Sequence, residues 1–217
     1  YMTEEQYEQL VNSDFVEQAG HRRIIGYASN TSSHSIEINY ADSVQQELTF
    51  CVPTHGAAPE KANEIATTDL ALKALGVEPK VGAEVPLEFE LRGKTYHYDM
   101  VLSGWWEASN DSVSVATVSE QFIKENPDVV QNTYAVDHEM SGVTFSDVVL
   151  KNKANVQQQL NEFVCSIGGN PEDMGADNFI LASENQMSQG LTSSESIVFA
   201  VVFILMFVVC GYLLIYN

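Results

Sequence analysis

The chain has 217 residues, with 30 acidic side chains against 10 basic ones and a formal charge of −20. That charge, with no Lys/Arg patch to release counterions, excludes nucleic acid as a partner and disfavours docking on an anionic lipid surface. Three cysteines are too few for a disulfide-built scaffold, and a hydrophobic content of 45% is too high for a disordered chain.

Thr3-Glu4-Glu5-Gln6 is a capping-box pattern, and Tyr7, Leu10 and Val11 recur behind it at helical spacing, which predicts a short helix ending near Asn12. Strands are expected over 21–27, 35–40 and 47–52, where Ile, Val, Tyr and Phe are bounded by Gly, Asn and Ser. The Pro, Gly and Ala content of 53–63 marks a loop. A short strand over 64–66 then precedes a helix from Thr68, with Leu70, Leu72 and Leu75 apolar and Gly76 as its C′ residue. The clearest local pattern is a hairpin. Val85, Leu87, Phe89 and Leu91 alternate with Glu84, Glu88 and Glu90, a period-two pattern with one wet face. Beyond the turn Arg92-Gly93-Lys94, the residues Tyr96, Tyr98, Met100 and Leu102 alternate with Thr95, His97, Asp99 and Val101. A strand over 113–118, a helix over 119–126 and a strand near 133–136 follow. The stretch 153–167 is amphipathic, with Val156, Leu160, Phe163, Val164 and Ile167 on one face and Gly168-Gly169 as the stop. Strands and helices interleave without the strict rhythm of a parallel sheet, so the expected class is α+β, a mixed sheet with packed helices.

From Ile197 to Ile215 nineteen residues carry no charge. At ~1.5 Å rise per residue they cover ~28 Å as a helix, matching a bilayer core of ~30 Å. The polar stripe of a buried soluble helix is missing, and Tyr212 and Tyr216 suit the interfacial aromatic belt. Ser193 and Ser194, within a polar lead-in from Thr192 to Ser196, supply capping oxygens. Residues 1–190 are therefore expected to form one domain, and 191–217 a transmembrane helix with its lead-in. All ten Lys and Arg lie at or before Lys153, while the following 64 residues hold six acids and no base. Flanks poor in Lys/Arg are the translocated ones, so the large domain is expected to face outward from the cell membrane. No positive anchor follows the helix, and the chain reads as an excerpt of a longer membrane protein.

Chemistry-bearing patterns are sparse. His21, His34, His55, His97 and His138 are scattered, and Asp137-His138-Glu139 is the one dense trio of potential metal ligands; in an extended segment its carboxylates would point away from the imidazole. No Gly-x-Ser-x-Gly elbow and no Gly-rich phosphate loop occurs. The expectation is a non-enzyme without catalytic, cofactor or metal residues. Cys51 and Cys165 would meet an oxidising compartment, either bridged or as two solitary buried thiols, with the latter favoured; Cys210 lies in the apolar run as an inert small residue. Of Trp105 and Trp106, adjacent on a strand, one should be core and the other exposed, and the exposed one is the best contact residue on aromatic grounds.

Two stretches carry a family resemblance. One runs from Asn63-Glu64-Ile65-Ala66-Thr67 through Ala74-Leu75-Gly76-Val77 and Lys80-Val81-Gly82 into the hairpin and Ser103-Gly104-Trp105-Trp106-Glu107. The other is the apolar run closing in Gly211-Tyr212-Leu213-Leu214-Ile215-Tyr216-Asn217; Thr117 to Asn126 also fits. Over about half of the chain, in order and spacing, it resembles the FtsX-like (MacB-type) ABC-transporter permeases of Gram-positive, clostridia-like bacteria. The resemblance implies a MacB-like extracytoplasmic core joined to a helix of the membrane bundle. It also implies as partners a cytoplasmic ATP-binding subunit, the remaining permease helices, the lipid bilayer, and an outer peptide, lipid or cell-wall partner. The family's first transmembrane helix and its later ones are absent here. The competing reading is a single-pass, membrane-anchored binding or sensor module. A tethered hydrolase, a third reading, would have to use His97, Asp99 and His138.

Overall fold

A computed structural model describes residues 2–31, 35–108 and 114–171, together with Ile204 and Met206. Its organiser is the hairpin of β6 (Glu84–Leu91) and β7 (Lys94–Trp106). Arg92 and Gly93 both take positive φ, 51° and 71°, the two-residue turn whose twist suits a hairpin. The register Leu91↔Lys94 through Glu84↔Val101 buries Val85, Leu87, Phe89 and Leu91 and leaves the glutamates outward, as the alternation predicts. β7 continues past its partner. One edge takes β5 (Glu64–Thr68) in parallel, and the other, where β6 ends, takes the two-residue β4 (His55–Gly56).

The sheet then runs from β5 to β8 (Ser114–Val118), β3 (Ile36–Ala41), β2 (Arg22–Tyr27) and β9 (Thr144–Phe145). β3 and β8 are parallel, whereas β2–β3 and β5–β8 are antiparallel, so the sheet is mixed. It also curls back on itself. Ala28, just past β2, bridges Phe89 of β6, and the Ser29 amide donates to the Glu88 carbonyl at 2.8 Å. A bulge between Ile24 and Gly26 bends β2 toward that closure. Inside lie Ile25, Ile36, Ile38, Ile65, Phe89, Leu102 and Val118, sealed by Leu72 of α3 (Asp69–Leu75) and Phe122 of α4 (Glu120–Glu125). Each such side chain contributes about 1.5–3 kcal/mol of burial. The opposite face of the central strands is polar but satisfied: Asn39 donates to Glu37 at 2.6 Å and accepts from Thr117 at 3.1 Å.

A second, smaller core sits beside the curled sheet. α1 (Glu4–Val11), β1 (Val16–Ala19), β10 (Val148–Leu150) and α6 (Val156–Ser166) bury Leu10, Val16, Leu150, Val156, Leu160, Phe163 and Val164. β1 and β10 form a separate antiparallel ribbon. The predicted face of α6 is the one buried, and the Gly168 and Gly169 amides close its last turn on the Cys165 and Val164 carbonyls.

The α+β class with a mixed sheet is the observed one, and two local expectations need correction. Residues 47–52 are no strand: α2 (Ser43–Leu48) occupies their first part, capped by Asp42, whose side chain accepts from the Gln45 amide. The stretch near 133–136 is likewise helical, the single turn α5 (Tyr134–Asp137). β1, β9 and β10 are strands that the sequence pattern does not announce. The expected membrane span lies outside the described residues except for Ile204 and Met206, both helical and exposed. Among the described residues no helix is long and apolar enough to cross a membrane.

Candidate functional site

The capping box at Thr3 starts α1 as predicted, with both reciprocal hydrogen bonds present. It thereby sets Glu4 at the first helical position, facing away from the small core and toward β2 and β9. There the carboxylate meets three partners. His21 Nε2 is 3.2 Å away, Arg23 Nε is 3.3 Å away, and the Thr144 hydroxyl donates to it. Arg23 Nε makes no directed hydrogen bond, so its link to Glu4 is Coulombic; its Nη2 donates instead to the Val130 carbonyl at 2.7 Å. Burial by itself would raise the Glu4 pKa, but hydrogen bonds from His21 and Thr144 and the nearby positive charge outweigh it and hold the carboxyl at about 2. The carboxylate is a latch between the two cores.

Around it the imidazole of His21 stacks on Tyr7 at 4.3 Å and meets Tyr40 edge-on at 5.7 Å. Burial, followed by the charge of Asp42, pushes both phenols up to about 12, so they remain neutral donors across physiological pH. Glu4, His21, Arg23 and Tyr40 floor an open cleft of about 760 Å³, walled by Lys124 of α4 and by Asp128 in the 3-10 turn Pro127–Val130. Clefts of this size suit ligand binding. Chemistry is another matter: the half-buried Glu4 carboxylate is already engaged by His21, Arg23 and Thr144, and among the described residues no serine or cysteine lines the cleft beside His21. The arrangement presents charged and hydrogen-bonding groups to the cleft. Nothing in sequence order links Glu4 to His21, Arg23 and Thr144. The one available signal is the capping box, which fixes where Glu4 sits but not what it meets.

The residues singled out by sequence go elsewhere. Trp106 is the buried member of its pair, and Trp105 is partly buried, packed on the main core and stacked on His55 at 3.9 Å. His55 in turn pairs with Glu107 at 3.6 Å, so Trp105 is part of a small exposed-edge cluster at β4. Cys51 and Cys165 are not bridged: Cys51 is partly buried and Cys165 is exposed on α6, which also corrects the expectation of two buried thiols. Burial raises the Cys51 thiol above its ordinary value. His97 pairs with Glu88 across the wet face of the hairpin at 3.0 Å, and His138 lies at the far end of α5, so the groups a hydrolase would need are not brought together as neighbours in any described contact. Asp137-His138-Glu139 is not extended: His138 takes a left-handed φ of 59°, and Asp137 accepts from the Thr133 hydroxyl and the Glu139 amide.

No family model matches the chain, and no curated protein matches it in sequence. Solved structures do match. The extracellular domain of the noncanonic ABC-type transporter YknZ from Gram-positive bacteria is similar at 15% identity and a TM-score of 0.49, over 78% of this chain and 86% of that one. The periplasmic region of MacB from Actinobacillus actinomycetemcomitans matches at 9% identity and a TM-score of 0.47, covering 89% and 84% of the two chains. A domain of a putative permease protein from Porphyromonas gingivalis matches at 10% identity and a TM-score of 0.45, covering 73% of each.

Proposed function

We propose that residues 1–190 are the extracytoplasmic domain of an ABC-transporter permease and that 191–217 bring in one of its transmembrane helices. The observation that supports this is where the ends of the described domain meet. α1 near one end and α6 near the other share a single small core, so membrane helices attached at both ends would act on the same lobe. That lobe is joined to the curled sheet by the Glu4 latch and by Asp147, which accepts from Gln45 of α2. A displacement of the lobe would move Glu4 relative to the rest of the cleft lining. ATP hydrolysis belongs to a cytoplasmic subunit in this reading, and the domain itself is not an enzyme. The cleft would engage the peptide, lipid or cell-wall partner outside.

The test is purification of the full-length parent protein from its native membranes. Stoichiometric recovery of an ATP-binding subunit supports the proposal. Recovery without any ATPase, together with full ligand binding by residues 1–190 alone, supports the rival single-pass binding or sensor module and overturns it.

A further inference from the structure

α2 ends in a Schellman closure: the Phe50 and Cys51 amides donate to the Glu47 and Gln46 carbonyls at 3.3 and 2.8 Å. Phe50 is the C′ residue of that closure, with φ of 57°. Glycine takes this left-handed conformation freely, whereas a bulky side chain forfeits about five- to thirty-fold in conformational equilibrium. The ring recovers nothing from the protein, since it is 88% exposed and enters no ring contact among the described residues. Val52 is 46% exposed, while Cys51 between them is partly buried and donates its thiol to the Thr49 carbonyl at 3.4 Å. Val136 is as open, at 85%, but sits on ordinary helical backbone and needs no explanation. Among the described residues only Phe50 joins a strained backbone to a wet apolar side chain, the pattern of a residue held out toward something beyond the chain.

We propose that the Phe50–Val52 tip is a lipid contact, a shallow wedge entering the headgroup–acyl boundary of the bilayer in which this same chain is anchored. The inference rests on the membrane-anchored reading above. Magnitude separates lipid from a free protein partner. Burying one phenylalanine changes an equilibrium constant by about 10- to 150-fold. A diffusing partner held by that contact would bind no tighter than several millimolar. A surface to which the chain is already tethered needs nothing stronger, because tethering supplies an effective concentration of about that size. The stretch 172–196 spans at most ~85 Å fully extended, which keeps a bilayer within range of the domain. Charge selects the lipid. No Lys or Arg occurs from 24 to 60, whereas Asp42, Glu47 and Glu60 do; Glu37 is buried and paired with Arg22 at 3.3 Å. Zwitterionic headgroups tolerate such a tip, and an anionic surface repels it.

The full chain is tested in phosphatidylcholine vesicles with an environment-sensitive thiol probe at one position at a time. The positions are Phe50→Cys, Val52→Cys, Val136→Cys and the native Cys210, with the other cysteines changed to serine. Brominated phosphatidylcholine is the quencher. Emission is expected to fall at least two-fold at 50, less at 52, strongly at 210 and not at 136. Replacing a third of the lipid by phosphatidylglycerol at low salt should weaken quenching at 50 and leave 210 unchanged. Quenching at 210 with none at 50 or 52 overturns the wedge and leaves the anchored reading standing. Absence of quenching at 210 overturns both. Equal quenching at 50 and 136 also overturns the wedge, since any exposed site would then behave alike. Val52→Cys leaves the left-handed position untouched, so misfolding of Phe50→Cys does not remove the test.

Discussion

Glu4→Gln keeps the size of the latch residue and removes its charge. With the carboxyl held at about 2 against an ordinary 4.5, the linkage contribution at neutral pH is about 3 kcal/mol before solvent screening. The side chain is 45% exposed, and screening at such a site reduces the figure to about 1–1.5 kcal/mol. The sign follows from the depressed pKa: the stabilisation is complete above pH 4.5 and disappears as pH falls from 4.5 toward 2. Urea denaturation of wild type and Glu4→Gln at pH 7 should therefore differ by about 1–1.5 kcal/mol, and the two curves should converge by pH 2.5. Hydrogen exchange gives the local counterpart, with amides of α1 and β9 opening more often in the variant at pH 7 while those of β5 and β8 follow the global change. Equal stability at pH 7 would refute the latch. A deficit that persists undiminished at pH 2.5 would refute its electrostatic origin.

Two further substitutions probe backbone geometry. Phe50→Gly should raise stability by about 0.5–1 kcal/mol, because relief of the left-handed strain exceeds the added chain entropy, and a rise in thermal midpoint checks it. Gly104→Ala should cost about 1–3 kcal/mol. A Cβ there collides with the Ala57 carbonyl oxygen and sits 2.8 Å from Pro53 Cβ and 2.9 Å from the Ala57 nitrogen, none of which is the end of a flexible chain. Denaturation midpoints of the two variants should move in opposite directions.

The hairpin is readable from sequence because one face is dry and the other wet, so eight successive residues of β6 state their orientation individually. The helices α1, α3 and α4 are readable through their caps at Thr3, Thr68 and Ser119, each of which accepts the expected amide bond. Residues 47–52 mislead because Leu48, Phe50 and Val52 alternate with polar neighbours, a strand-like rhythm. Asp42 capping Gln45, and good helix formers at Gln45 and Gln46, decide the matter locally. Phe50 then points out of the fold rather than onto a sheet. β1, β9 and β10 are only two to four residues long and owe their pairing to partners more than a hundred positions away, which no local pattern encodes. The cleft is hidden for the same reason: Glu4 and Thr144 stand 140 residues apart and become neighbours only when the sheet edge forms.

The central claim is that the acidic domain stands outside the membrane on an anchored chain. Cys165 is exposed on α6 and reports on it directly. A Cys51→Ser form of the full-length protein, expressed in its own cell type, is exposed to a maleimide that cannot cross membranes. Labelling of Cys165 in intact cells, at the rate seen after lysis, is the predicted result. Labelling that begins only once the cells are broken would contradict the account.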